Sequence, residues 1–482
     1  MSLSWKRFCL KHRECRRYRH FDYPCSLESS KIRSYVCNPK KIAAHSFYPF
    51  VQREQLKKRF AQNDQGIEEL PPKVRHICIC SHLDRCVYQR YAYLIGKQYE
   101  LYANKHGINE VAIAYRRLGK SNIDFAKKAM DFIEDSSSCL VFVSDFSDFF
   151  DRINHRILKE RLREVCLDEY PKERSLPMDI YAIYKNITRY SFIHQDDIGK
   201  VLGDCQNLSS KRMRCFLEEV SFSEFKPFVH KNKNMLGIPQ GSPISAMLSN
   251  IYMSKFDISL KRIVQDHLRG MYMRYSDDII VIIPATTIKE AAKSCRIITS
   301  FFRKNREIAK ISKSKTKKFF FENGKFTCLD LFQNGSNLLS CLDYLGFRFD
   351  GISRRIKPSS SDRYLHKSRR SAIAAGKQLY KEMNSSESGI FFKNLYDRYS
   401  TCSKKARKLH PQYKNRSKRN YLAYVRRARD AKALQNDVTS ENILVRSKDR
   451  LRKFIQIGMR KAQESKMKAR LRKARILSNM KS

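Results

Sequence analysis

Two aspartates, Asp277 and Asp278, stand side by side in "MRYSDDIIVIIP", between two apolar runs. Neighbouring carboxylates in a poorly solvated site repel by roughly several kcal/mol and raise one another's pKa unless a cation offsets them. A third aspartate, Asp145, ends the apolar run of "LVFVSDFSDFFD". An Asp-Asp pair alone is most often a turn. A second strand-end carboxylate in a strongly basic chain points instead to a shared divalent cation. Magnesium suits this role, being a hard ion held by one or two carboxylates with substrate phosphates completing its shell. Two such ions roughly 3.5 to 4 Å apart clamp the attacking and leaving oxygens of an in-line phosphoryl displacement.

The patterns around these residues predict the elements that must hold them. Met271 to Arg274 and Ile279 to Ile283 read as the arms of a hairpin with Tyr275 to Asp278 at its bend. Leu140 to Val143 reads as a buried strand running into Asp145. Ile153, Ile157, Leu158, Leu162 and Val165 mark a helix, with Asp151 as its expected N-cap. Leu83, Val87, Tyr91, Leu94 and Tyr99 mark another, from His82 to about Asn104. Further helices are expected over about 122–134 and 287–305. A short strand is expected in "VAIAYRRLGKSN", and a strand pair in "LDYLGFRFDG". "GIPQGSPISAMLSN" reads as a Gly/Pro-rich loop feeding a helix. Residues 1 to about 70 look irregular, and 166–235 is a polar stretch of little periodicity, an insertion or helical elaboration.

Composition narrows the partners. The 482 residues carry 97 Lys and Arg against 48 Asp and Glu, a net charge of +49 that suits a polyanion, most commonly nucleic acid. Residues 401–482 alone hold 26 basic against 5 acidic side chains. No apolar stretch is long enough for a membrane-spanning helix, and the basic start lacks a signal-peptide core, so a cytoplasmic protein is expected. The fifteen cysteines are scattered, several in apolar runs, and read as free buried thiols. Cys78, Cys80, His82 and Cys86 suggest a zinc site, but Cys78 and Cys80 alternate with Ile77 and Ile79 as in a strand, and no second ligand pair follows.

Several of these segments together resemble the reverse transcriptase family. "YSDD" looks like its catalytic turn, "VFVSDFSDFFDRINH" like its first catalytic strand, and "GIPQGSPISAMLSN" like its Pro-Gln-Gly loop and helix. "SKSKTK" and "LDYLGFRF" are similar to its lysine-bearing motif and primer-gripping hairpin. The resemblance implies an α+β right-hand polymerase: a basic N-terminal extension at 1–70, fingers at 71–136, a palm at 137–351 and a basic, mainly helical, thumb-like region at 352–482. It implies that Asp145 and Asp277 ligate two magnesium ions, or manganese, with Asp278 supporting and the Phe146 backbone adding an oxygen. Phe150 falls where the family places an aromatic gate against the ribose 2′-OH; its alternative is one more core aromatic. Gln240 and Gly241 would line the nucleotide and template base, Gly241 because backbone must come close. Arg116, Arg117 and Lys120 are candidates for the triphosphate, with solvated finger residues as the alternative. Lys315 is a candidate general acid or a plain surface lysine.

An RNA-directed RNA polymerase is the nearest rival enzyme; Phe150 and the Pro-Gln-Gly loop stand against it. No ribonuclease H, integrase or His-Asn-His endonuclease module is recognisable after the palm. The remaining match is to bacterial defence-associated reverse transcriptases of the unknown groups, through "SHLDRCVYQRYAYLIGKQYE", "AYRRLGKSNIDFAKKAMDFI" and "RNYLAYVRRARDA". It implies an antiphage role with a noncoding RNA, a DNA product made from dNTPs and, in some relatives, a companion protein. Tyr413, Tyr421 and Tyr424 would be available to stack on RNA. Protein-primed or template-independent synthesis stays open, as does an RNA-binding scaffold without turnover.

Overall fold

The computed structural model describes residues 3–11, 18–63, 66–168, 175–203, 215–218, 220–329, 339–382, 395–400 and 420–479. The chain is α+β, as expected, and divides into two compact units. The first comprises Met1–Arg116, Ser144–Ile279 and Arg296–Thr316; the second comprises Arg117–Val143, Ile280–Cys295 and Lys317–Ser482.

The first unit is built on a long antiparallel hairpin, β1 (Phe50–Asn63) and β2 (Gly66–Ile79), paired from Val51 opposite Ile79 out to Asn63 opposite Gly66. Structure therefore begins well before the strand expected after residue 70, and a boundary at 70 cuts β2. The sequence hides this strand behind Pro71 and Pro72. The register shifts between Lys57 and Arg59, opposite those prolines, where a missing N–H interrupts little.

The polar 166–235 stretch supplies two more strands. Strand β4 (Ser191–His194) lies parallel to β1, and β5 (His230–Lys231) pairs antiparallel with β4, giving the order β2-β1-β4-β5. One face of this sheet packs on a core of Phe21, Val51, Ile193, Ile198, Phe216 and Phe225. β4 is only four residues long, too short to announce itself by alternation.

Helix His82–Lys105 forms as predicted. The Ser81 side chain accepts the Asp84 N–H at 3.2 Å, and the Asp22 carboxylate accepts the His82 and Leu83 N–H groups at 2.8 and 2.7 Å. The N-terminal segment is thus tied to this helix rather than standing apart. Trp5 adds a ring contact with Tyr93 at 5.0 Å.

Two local expectations fail in this unit. Helix His155–Leu167 is capped by Asn154, whose side chain accepts the Ile157 N–H at 3.2 Å, not by Asp151, which sits in the preceding 3-10 turn. The expected strand in Val111–Ala114 reduces to a single bridge between Ala112 and Arg274. The hairpin arm β6 (Met271–Tyr275) is buried through Arg274.

In the second unit, helix Asn122–Asp135 starts with a reciprocal Ser121/Asp124 capping box. Strands β3 (Ser138–Asp145), β7 (Asp278–Pro284), β8 (Lys317–Glu322), β9 (Lys325–Cys328) and β10 (Leu339–Ser340) follow the order β10-β9-β8-β3-β7. Leu140, Val141, Phe142 and Ile280–Ile283 are fully buried, which is why their strands read as unbroken apolar runs. The chain leaves this unit at the Asp145 end of β3 and enters it at the Asp278 end of β7. A small meander, β11 (Leu342–Tyr344), β12 (Phe347–Phe349) and β13 (Arg354–Ile356), realises the expected strand pair with one strand more.

The basic C-terminal region is helical where it is described. Pro358–Glu382 and Ser447–Asn479 cross at Gly376 and Gly458, where a Cβ on either would overlap the other helix's backbone at Ile455 or Ile373. Tyr421 and Tyr424 are not held out for RNA. Tyr421 stacks on Tyr364 at 4.5 Å, and the Tyr424 hydroxyl accepts from Asn122 at 3.0 Å. Tyr413 lies outside the described residues. Among the described residues no helix is long and apolar enough to cross a membrane, and every cysteine is free.

Candidate active site

Asp145 and Asp277 meet at the ends of two strands. The Phe146 N–H donates to the Asp277 carbonyl at 3.1 Å, and the Ser312 N–H donates to the Asp145 carbonyl at 2.8 Å. These backbone bonds set the two carboxyl groups side by side. Burial raises the Asp277 pKa above the ordinary carboxylate range, and the Asp145 charge raises it further, while Lys315 opposes both. Lys315 ion-pairs with Asp145 Oδ2. Thr316 keeps the lysine's segment in place, its hydroxyl bonded to Ser144 Oγ and to the Ser312 carbonyl, both at 2.8 Å.

The remaining oxygen, Asp145 Oδ1, is buried without a hydrogen-bond partner. An unsatisfied carboxylate oxygen beside a second carboxyl is an environment that a hard cation stabilises. Asp278 is exposed at the rim of the same turn. Among the described residues no three His, Cys, Asp or Glu side chains form a cluster able to hold a metal, which also leaves the Cys78/Cys80/His82/Cys86 group without a zinc geometry. Two convergent carboxylates nonetheless match the magnesium mode in which substrate phosphates supply the other ligands.

The turn that carries Asp277 is fixed from beneath. Ser276 adopts a left-handed conformation, φ 61°, unusual for a residue other than glycine, and is buried. Arg274 Nη1 donates to its carbonyl at 3.0 Å, and the Tyr115 hydroxyl donates to its Oγ at 3.2 Å. Arg274 is itself completely buried. It forks onto Asp257 at 2.6 and 2.9 Å, and its Nη1 also donates to Asn250 Oδ1 at 3.3 Å. The Tyr272 hydroxyl donates to Asp257 at 2.8 Å, completing the network. The spacing of Asp257, Tyr272 and Arg274 gave no sequence signal for this support, because the partners lie 15 and 17 residues apart.

The loop opposite is anchored to two other elements. The Ile238 N–H donates to the Phe150 carbonyl at 3.0 Å, placing the half-buried Phe150 directly beside the Pro239-Gln240-Gly241 stretch. The Cys78 N–H donates to the Gln240 carbonyl at 2.7 Å, and the Gln240 side chain bonds the Asp151 carboxyl. Gly241 has φ 114°, and a Cβ there would sit 2.6 Å from the Cys78 carbonyl oxygen. The backbone that comes close at Gly241 in this structure is that of β2 at Cys78.

The triphosphate candidates separate. Arg116 is not available: its side chain is wholly excluded from solvent, paired with Glu100 at 2.6 and 3.0 Å, and bonded to Asn109 and to the Ala112 carbonyl. Arg117 and Lys120 are exposed and belong to the other unit. Lys73 and His76 on β2, which sequence reasoning passed over, are near enough to Asp151 to lower its pKa against burial. Their signal was the basic residues in "PPKVRHICIC", immediately before Cys78.

A family model described as reverse transcriptase (RNA-dependent DNA polymerase) matches residues 57–349. No curated protein matches the chain. Similar solved structures include apo telomerase from Candida tropicalis, 11% identical over 86% of this chain and 68% of that one, with a TM-score of 0.40. A form of it truncated from the C-terminal domain is 12% identical over 67% and 59%, TM-score 0.37. Telomerase from Candida albicans in complex with a fragment of telomeric RNA is 12% identical over 90% and 68%, TM-score 0.36. The chain spans 59% of the length of the truncated telomerase.

Proposed function

The chain belongs to the reverse transcriptase family, and we propose that it is an RNA-directed DNA polymerase in which Asp145 and Asp277, supported by Asp278 and the Phe146 carbonyl, hold two magnesium ions for nucleotide addition. The observation that carries this reading is the juxtaposition of Asp145 and Asp277, with Asp145 Oδ1 buried and unpartnered. When bound, the metal supplies charge neutralisation at the reacting phosphate and lowers the pKa of the primer 3′-hydroxyl.

The protein's own groups do the positioning. The 3′-oxygen forms a bond to the α-phosphorus as the bond to the pyrophosphate oxygen breaks. Gln240 and Gly241 hold the base end of the nucleotide. Phe150 fills the space a ribose 2′-hydroxyl would need, which favours deoxynucleotides. Lys315, paired with Asp145 in this structure, carries a proton on Nζ that it gives to the leaving pyrophosphate. Within the first unit, Lys73 and Arg75, both exposed on β2, are cations for phosphate in place of Arg116.

The natural template is RNA, and the resemblance of three segments to defence-associated enzymes supports a cytoplasmic antiphage role with a noncoding RNA and a companion protein. The test is nucleotide incorporation by the wild type and by an Asp277→Ala, Asp278→Ala double variant, with magnesium, labelled dNTPs or rNTPs, and co-purifying RNA. Loss of dNTP incorporation in the variant is expected. Equal incorporation by both would remove this mechanism, and a preference for rNTPs would make the protein an RNA polymerase. Sequencing the product identifies template and primer, including a protein primer or none.

A further inference from the structure

The sheet of the first unit carries a row of aromatic rings that the proposed chemistry does not use. Residues two apart on a strand share a face, so Tyr190, Phe192 and His194 line up opposite Ile193, which is buried in the core beneath. His230 stands directly across from Phe192. The rings touch in sequence: Tyr190 and Phe192 have centroids 6.0 Å apart, Phe192 and His230 stack at 5.4 Å, and His194 and His230 approach to 5.2 Å. Phe192 and His194 are half-buried and His230 is exposed, so the planes are only partly covered.

The inner end of this row is fixed relative to the active site. The Asn232 N–H donates to the Tyr190 carbonyl at 2.9 Å, and the Asn232 side chain donates to the Leu236 carbonyl at 3.1 Å, in the segment that runs into Pro239-Gln240-Gly241. The Tyr190 ring also has Phe50 at 5.9 Å. Arg189 and Lys231, the chain neighbours of Tyr190 and His230, are exposed, as is Lys233 just beyond the edge strand β5. Asp197 lies near His194 and His230, but Lys200 pairs with it at 2.7 Å and cancels its charge.

Aromatic planes in a row with cations alongside suit one class of ligand, single-stranded nucleic acid, whose bases stack with little regard to sequence while its phosphates take the charges. The row begins where the templating base would meet Gln240. We propose that Tyr190, Phe192, His194 and His230 form a stacking track for the unpaired template ahead of the site, with Arg189, Lys231 and Lys233 on its phosphates. This rests on the polymerase reading above.

The test uses the full chain and labelled primer–template duplexes, either blunt or with a 5′ template extension of about eight unpaired nucleotides. Binding is read by fluorescence anisotropy at one fixed salt concentration. Phe192→Ala combined with His230→Ala is expected to weaken binding of the extended duplex about tenfold and leave the blunt duplex nearly unchanged. Phe192→Tyr with His230→Phe should restore the wild-type preference. Equal losses on both duplexes, or no loss on either, would overturn the track. If the alanine variant does not fold, Lys231→Glu with Lys233→Glu, both exposed, must show the same selective loss or the proposal fails. Because binding needs no turnover, a wild type without polymerase activity would sink the catalytic reading alone.

Discussion

Arg274 and Asp257 form a forked ion pair, with contacts of 2.6 and 2.9 Å, in which neither side chain is exposed to solvent. The same guanidinium donates to the Ser276 carbonyl, so the pair holds the backbone turn that delivers Asp277. Breaking one partner of a buried pair costs about 3 to 5 kcal/mol because the other charge is stranded. Arg274→Lys keeps the charge but cannot reach Asp257, Asn250 and Ser276 together. We expect a lower unfolding midpoint and a fall in kcat of at least about tenfold, with KM for the nucleotide little changed. A variant that loses stability but keeps wild-type kcat would restrict Arg274 to a folding role.

Phe150 is half-buried and held to the Pro239-Gln240-Gly241 loop through its own carbonyl, not through its ring. Trimming the ring therefore leaves the loop bond intact. Phe150→Val should raise rNTP use relative to dNTP use by about tenfold or more, measured as the ratio of kcat/KM values. An unchanged ratio would assign the ring to the aromatic cluster with Phe149, its neighbour at 5.5 Å.

Gly241 combines a left-handed φ of 114° with a Cβ position 2.6 Å from the Cys78 carbonyl. Neither the strain nor the overlap can be relieved without moving the base of β2. Gly241→Ala is expected to cost about 1 to 3 kcal/mol and to depress activity by displacing Gln240. Unfolding and primer-extension measurements on the same preparation check both effects.

His20 is buried with both ring nitrogens engaged, Nε2 on the Ile79 carbonyl at 3.1 Å and Nδ1 accepting the Phe21 N–H at 2.9 Å. A second ring proton would break the Phe21 bond. Burial pushes its pKa down from 6.5 to about 4. The unfolded chain then takes up a proton first as pH falls. Stability from this group is complete above about pH 6.5 and is lost progressively towards pH 4, by about 2 kcal/mol at pH 5. Thermal unfolding between about pH 7.5 and pH 5 should fall less steeply in His20→Gln than in the wild type. Parallel slopes would show that His20 does not contribute.

The residues that lie within a few positions of their own signals were legible. Asp145 and Asp277 each follow or precede an unbroken apolar run, and a strand buried on both faces cannot hide that pattern. Helices His82–Lys105, Asn122–Asp135 and Ile288–Lys304 likewise wrote their periodicity along the chain. The hairpin of β1 and β2 did not, because much of it faces solvent on both sides and carries prolines at its irregular point. The strands β4 and β5 did not, because each is too short to alternate.

Sequence by itself determined the chemical kinds present: strand-end carboxylates, a Pro-Gln-Gly loop, an aromatic beside it, and a large positive charge. Tertiary structure decided which of these groups are free to act. It consumed Arg116 in an internal pair with Glu100, spent the space above Gly241 on β2, and turned Tyr421 inward onto Tyr364. It also drew Arg274, Asp257 and Asn250 under the turn that carries Asp277. Side-chain type is local to the chain, whereas hydrogen-bond partners and exclusion from water are set by segments that meet only after folding.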